Sequence, residues 1–214
     1  YTAQCSITTD QDNNQITAFH PGAMGEAHQN KVVDAANISL GIVAPDGRDA
    51  MLQHSRDFAA LGIPFMFDPG QNLPLFSKDE LLTCIDQATW CVMNDYESQL
   101  MMKITELTLD DIASQVDALI VTQGGEGSRI YAGDKSIDIP AASIQAAVDP
   151  TGCGDAFRSG LLHGLNCGWD WETSGRAASL VGAIKVESQG TQNHHFTQDQ
   201  FQTRFEESFG YSLP

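Results

Sequence analysis

From Asn37 onward the chain alternates short apolar runs with amphipathic stretches. Ile38 to Val43, Ile63 to Phe67, Trp90 to Met93 and Ala118 to Thr122 are brief runs of the kind that form buried strands. Ala50 to Leu61 and Lys78 to Ala88 repeat their apolar residues at helical spacing, and each later apolar run follows a helical segment. Strands that alternate with helices predict a mostly parallel sheet covered on both faces. Ser128 to Ala132 and Ser136 to Ile139 flank Gly133 and Asp134, which predicts an antiparallel hairpin added to that sheet. The chain then ends in helices. Ala156 to Leu165 places Phe157, Leu161 and Leu165 on one face, and Ser174 to Val186 gathers Ala177, Leu180, Val181 and Ile184. Ahead of this body, Tyr1 to Thr9 and Asn14 to His20 are β-prone runs separated by the polar stretch Asp10 to Asn13, which suits a hairpin-like turn. The expected organisation is a small β unit over residues 1–22 and an α/β body over 23–214.

The strongest chemical signal is Asp149-Pro150-Thr151-Gly152-Cys153-Gly154-Asp155, which leads into the apolar helix predicted near Ala156. Two glycines one residue apart let the backbone turn its N–H groups toward a common point, and the positive end of the following helix adds to them. The result is an anion hole. Asp155, in the first helical turn, would set a carboxylate beside it, able to accept a proton from a hydroxyl that attacks the bound phosphate. The plainer alternative is a tight glycine loop whose Asp155 caps a helix. Cys153 reads as a small residue donating its N–H rather than as a nucleophile.

This segment resembles the signature of the ribokinase-like (PfkB) family, usually written Asp-Thr-Thr-Gly-Ala-Gly-Asp, with Pro150 in place of a Thr and Cys153 in place of the Ala. The resemblance implies a three-layer α/β/α ribokinase-like fold with a mostly parallel sheet and a small β lid over residues 1–22. It implies that Asp155 is the general base, and that the Gly152, Cys153 and Gly154 amides stabilise the transferring phosphoryl group. Asn94-Asp95-Tyr96-Glu97 is similar to the family's Asn-x-x-Glu motif, which organises magnesium and phosphate through water, so Asn94 and Glu97 are nucleotide-side residues by resemblance. Read alone, those four residues are a helix start with an acidic first turn. Val121-Thr122-Gln123-Gly124-Gly125-Glu126-Gly127 resembles the family's nucleotide-binding stretch, which assigns Thr122, Gly124, Gly125 and Gly127 to ATP, with Thr151 of the first motif beside them. Its glycines do not fit Gly-x-Gly-x-x-Gly, and a strand follows where a dinucleotide fold needs a helix. The family also holds a monovalent cation beside the anion hole. Asp149 and the loop Ser188 to Gly190 are the matching places, so Asp149, Ser188 and Gly190 are expected around potassium.

For the acceptor, Thr8-Thr9-Asp10 and Gln15 to Met24 resemble the lid-to-body segment of bacterial adenosine kinases within the family, and Asp68-Pro69-Gly70-Gln71-Asn72 resembles their Asp-Pro-x-Gln-Gln stretch. Phe19 would stack on a base, and Gln71 and Asn72 would offer amide donors and acceptors to a base or ribose. The implied reaction is phosphorylation of adenosine to AMP by ATP and magnesium. A ribokinase- or fructokinase-type sugar kinase and a catalytically silent nucleoside-binding relative are the alternatives. Cys5 stands where those kinases commonly carry a second aromatic residue. The family's usual earlier segment, with an Asp for sugar hydroxyls, is expected ahead of Tyr1. Lid strands pair across subunits in some members and not in others, which leaves monomer and homodimer both open.

Composition narrows the partners. Across 214 residues, 11 Lys+Arg stand against 28 Asp+Glu, a formal charge of −17, which repels a nucleic-acid backbone or an anionic membrane surface. The partner expected is therefore a small nucleoside or sugar. The five cysteines are odd in number and lack CxxC pairing, which suggests a reducing, cytoplasmic setting.

Overall fold

The computed structural model describes residues 1–9 and 15–214. The turn expected over Asp10 to Asn13, the first residue of the run at Asn14, and the Asp10 end of the Thr8-Thr9-Asp10 resemblance lie outside the described residues. Strands β1 (Gln4–Thr9) and β2 (Gln15–His20) pair antiparallel, with Cys5 opposite Phe19, as a two-stranded sheet of their own. A 3-10 stretch at Gly22–Gln29 follows.

The body is a six-stranded sheet in sequential order: β3 (Gly41–Val43), β4 (Phe65–Phe67), β5 (Trp90–Asn94), β6 (Ala118–Thr122), β7 (Ser128–Ala132) and β8 (Lys135–Ile139). β3 to β6 run parallel, and β7 and β8 turn back antiparallel, as the hairpin signal predicts. The first two strands are shorter than their apolar runs. Gly62, at φ 64°, closes the preceding helix by donating to Ala59 and Phe58 carbonyls, and Pro64 has no N–H to give a ladder, so β4 opens only at Phe65.

Alternate strand residues face opposite ways, which divides the core. Phe65, Phe67, Cys91, Met93, Leu119 and Val121 pack with α1 (Arg48–Leu61), α2 (Lys78–Gln87), α3 (Asp95–Thr105) and α4 (Leu109–Ala113). Met66, Val92, Ile120 and Ile130 pack with Phe157 and Leu161 of α5 (Cys153–Asn166) and Ala178 of α6 (Trp171–Val186). The three layers expected from the sequence follow from this alternation. α5 and α6 both start earlier than their apolar faces suggest. Gly152 turns the chain into α5 at φ 86°, and the Asp170 side chain caps α6 by accepting the Thr173 N–H at 2.7 Å. The last helix, α7 (Gln198–Phe209), is not foreseen, because it buries little beyond Phe205. Among the described residues, no helix is long and apolar enough to cross a membrane.

Candidate active site

Asp149 fixes the loop that opens the site. Its Oδ1 accepts the Thr151 N–H at 2.9 Å, while Oδ2 accepts the Gly190 N–H at 2.8 Å and the Gln189 side-chain amide at 3.0 Å. The backbone bonds from Thr151 and Gly190 hold this carboxyl well below the usual range, at about 2. At Gly152 the positive φ requires glycine, and a Cβ there would also lie 3.3 Å from Thr191. Helix α5 then begins with Cys153, Gly154 and Asp155, so its first N–H groups point out of the loop.

One assignment is corrected here. The Cys153 N–H donates to the Pro150 carbonyl at 3.1 Å, closing the turn, and is not offered to an anion. The N–H groups of Gly152, Gly154 and Asp155 have no protein acceptor among the described residues. The hole is therefore built from glycine and Asp155 amides. Burial pushes the Cys153 thiol up, which agrees with a packing residue rather than a nucleophile.

The Asp155 side chain is 78% exposed. Arg158, one turn on, donates from Nη2 to Asp155 Oδ1 at 2.7 Å, and its Nε lies 2.8 Å from Oδ2 of Asp68, which is 1% exposed at the end of β4. Burial pushes the Asp68 carboxyl up to about 7 against the pull of Arg158, and the Glu97 and Asp155 carboxylates push the same way. Three carboxylates and one guanidinium thus meet at the carboxyl ends of the parallel strands, where open α/β sheets bind ligands. Asp68 opens the Asp-Pro-x-Gln-Gln-like stretch but is given no role by the sequence, and Arg158 is not singled out at all. The signal available for Arg158 is its position three residues after Asp155 on one helix.

Asn94 and Glu97 form a capping box at the start of α3: Asn94 Oδ1 accepts the Glu97 N–H at 2.7 Å, and Glu97 Oε2 accepts the Asn94 N–H at 2.8 Å. The helix-start reading of these residues therefore accounts for the Asn94 side chain. The cap uses one of the two Glu97 oxygens, and the carboxyl still acts on Asp68. Among the described residues, no cluster of three or more His, Cys, Asp or Glu could hold a metal by itself. The Glu97 and Asp155 carboxylates, which both act on the buried Asp68, are nevertheless oxygen donors of the kind that suit a hydrated magnesium ion carried in with a nucleotide.

Two clefts hold residues that the sequence singled out. The first, about 390 Å³, is lined by Thr122, Gly124, Gly125 and Gly127 on one side and by Pro150, Cys153 and Gly154 on the other, with Ala142, Phe157, Ala183 and Val186 as apolar walls. The glycine stretch and the anion-hole loop are thereby brought together. A Cβ on Gly124 or Gly125 would meet nothing within 4 Å, so these glycines leave open space that a flat base could occupy. Thr151 is exposed and does not line this cleft. The second cleft, about 360 Å³, is lined by Phe19, Met24, Asp46, Arg48, Asn72 and neighbouring residues. Asn72 donates to the Asp46 carbonyl at 2.7 Å, so one of its amide donors is already engaged, while Gln71 is exposed and does not line the cleft. Asp155 follows Gly154 of the first cleft in the chain and is tied through Arg158 to Asp68 at the end of β4, while the second cleft is lined by none of Asp68, Glu97, Asp155 and Arg158. A hollow of about 470 Å³ against α7 includes no residue of the Asp149–Asp155 loop, and its size gives it no chemistry.

Asp149, Ser188 and Gly190 do come together, yet they do not offer a free oxygen cage to a monovalent ion. Both Asp149 carboxylate oxygens hold N–H donors, and the Asp149 and Ser188 carbonyls accept from Lys185 Nζ at 2.7 and 3.1 Å. Lys185 is a residue the sequence reading passes over. Its signal is a cation that directly follows the apolar run Leu180 to Ile184 near the end of a helix.

Comparison with known proteins follows this geometry. The model of the pfkB family carbohydrate kinases matches residues 1–198. The nucleoside kinase of Methanocaldococcus jannaschii is 37% identical over 206 residues, 96% of this chain and 67% of that protein. The ribokinase of Bacillus subtilis is 34% identical over 140 residues, 65% of this chain and 43% of the ribokinase. The structure of Burkholderia thailandensis nucleoside kinase in complex with inosine matches with a TM-score of 0.96 at 51% identity, covering 99% of this chain and 70% of that one. The chain thus spans about two thirds of the length of these nucleoside kinases. The family match over residues 1–198, with the likeness in sequence and fold to these kinases, places this chain in the pfkB family of carbohydrate kinases, phosphotransferases with a hydroxyl acceptor.

Proposed function

We propose that this chain supplies the nucleotide-binding and catalytic part of a nucleoside kinase, which moves the γ-phosphoryl group of MgATP to the 5′ hydroxyl of a purine nucleoside, adenosine among them. The observation that supports this reading is that Asp155 directly follows Gly154, a residue lining the glycine-walled cleft, in a loop whose Gly152 and Gly154 amides have no protein acceptor among the described residues. Asp155 takes the proton of the attacking hydroxyl, whose oxygen bonds to the γ-phosphorus as the bond to the β–γ bridging oxygen breaks and ADP departs. The Gly152 and Gly154 amides and the positive end of α5 receive the charge gathering on the phosphoryl oxygens. Glu97 and Asp68 would hold a magnesium ion brought in with the nucleotide, which would supply charge neutralisation for the triphosphate. Arg158 holds the base in place. Phe19 offers a stacking face, and residues 1–22 are read as part of a lid over a body formed by 23–214.

Support for a nucleoside acceptor comes from the M. jannaschii relative and from the B. thailandensis kinase, solved with inosine and with ADP-inosine. The test is Asp155→Asn in the full protein, with adenosine, inosine, ribose and fructose as acceptors. The expected result is nucleoside turnover in the parent and a loss of kcat of about 100-fold or more in the variant, with ATP binding kept. Near-normal turnover by the variant would remove Asp155 as the base. Preference for ribose or fructose would overturn the acceptor.

A further inference from the structure

Helix α6 buries a run of small and apolar residues from Ala177 to Ile184 and, at its end, Lys185, which is 0% exposed and is its one buried charged residue. An ammonium taken out of water is costly unless its donors are met. Here they are met by main-chain oxygens from two different loops: the carbonyl of Asp149, which opens the anion-hole loop, and the carbonyl of Ser188. Among the described residues, no carboxylate accepts from it. The same two loops are joined again by Asp149 Oδ2, which accepts from Gly190 and Gln189, and by the close approach of Gly152 to Thr191. The N–H groups of Val148 and Asp149 donate to the Val186 carbonyl at 2.8 and 3.0 Å, which fixes the entry to the motif against the end of the lysine's own helix.

A positive charge held by converging backbone carbonyls is how proteins replace the water shell of a monovalent cation. We propose that the Lys185 ammonium takes the place of such a cation. It binds loop 149–152 to loop 188–191, places a fixed charge behind the anion hole, and makes the site independent of potassium. Lys185 is a positioning residue, because it acts through the loop and touches no reacting atom. The catalytic half of this statement rests on the kinase reading above. The structural half does not.

The experiment compares the full protein in potassium chloride and in N-methylglucamine chloride at equal ionic strength, reading both Tm and kcat. For the parent, Tm is expected to be the same in the two salts, and kcat to differ by less than about twofold. In Lys185→Ala, Tm is expected to fall and then to rise with added potassium or ammonium, and kcat to become dependent on the same ions. Lys185→Met, which keeps the stem but fills the space, is expected to lose kcat with no rescue by either ion. A parent activated about tenfold by potassium, or stabilised by potassium but not by N-methylglucamine, overturns the proposal. So does Lys185→Met with parental kcat. If Lys185→Ala does not fold, the parent's salt comparison decides alone. Absence of turnover in every salt, with Tm still indifferent to potassium, would count against the kinase reading and leave the structural role of Lys185 standing.

Discussion

Arg158 donates to Asp155 at 2.7 Å while its Nε stands 2.8 Å from Asp68, so one guanidinium serves an exposed carboxylate and a buried one together. The bridge places the proposed base in register with the end of β4, and it meets a charge that the sheet would otherwise bury alone. Removing it should therefore be felt in stability as well as in rate. Arg158→Met is expected to lower unfolding free energy by about 2 kcal/mol, because it leaves the Asp68 carboxyl buried without its counter-charge. Adding Asp68→Asn should recover part of that loss. Urea unfolding of the two single variants and the double variant measures the coupling.

Asp68 should also shape the dependence of stability on pH. Unfolded, it loses its proton near 3.8, and folded, burial holds the proton up to about 7. Between these values the unfolded chain binds fewer protons than the native one, so this group's contribution worsens as pH rises through the window and is level above it. Asp68→Asn is expected to gain stability relative to the parent from pH 4 to 7. Equal pH slopes for the two proteins in urea unfolding would contradict the raised carboxyl.

The glycines after β6 divide into two kinds, and substitutions should separate them. Gly127 has φ 98°, and a Cβ there would run into the Ile139 carbonyl, so Gly127→Ala is expected to cost roughly 2 kcal/mol or more and to loosen the β7–β8 hairpin. Gly125 has open space before it. Gly125→Leu should leave Tm nearly unchanged while raising KM for ATP, since the new side chain projects into the 390 Å³ cleft. Thermal melts with kinetics for both variants check the contrast.

Cys153 should prove dispensable to the chemistry. Its thiol is raised by burial, and its N–H belongs to the turn. Cys153→Ala is expected to keep kcat within about threefold of the parent, as a residue supplying only backbone and packing should. Steady-state kinetics of this variant beside Asp155→Asn would show the difference in role.

Much of this molecule can be read from local pattern. The strand and helix alternation, the β7–β8 hairpin around Gly133 and Asp134, and the loop Asp149 to Asp155 all depend on residues close together in the chain. What escapes the sequence depends on partners brought from elsewhere. Arg158 is an ordinary residue, and Asp68 only the first letter of a motif, until the fold sets β4 beside α5. Lys185 shows its purpose only once two loops present their carbonyls to it. The Asn94 and Glu97 pair was ambiguous for the opposite reason, since a capping box and a ligand motif use the same residue types at the same spacing. Strand ends were set by Gly62 and Pro64 rather than by hydrophobicity, which is why β3 and β4 are shorter than their apolar runs.

The small residues between α5 and α6 have a mechanical consequence. A Cβ on Gly160 would lie 2.8 Å from the Ala178 backbone, and one on Gly164 would lie 2.8 Å from the Ser174 side chain, so the two helices are pressed together along their lengths. The carboxylate at the head of one and the ammonium at the tail of the other are thereby mounted on a single stiff block. Any closing stroke around a bound ligand must come from the parts that surround this block, which acts as the anvil.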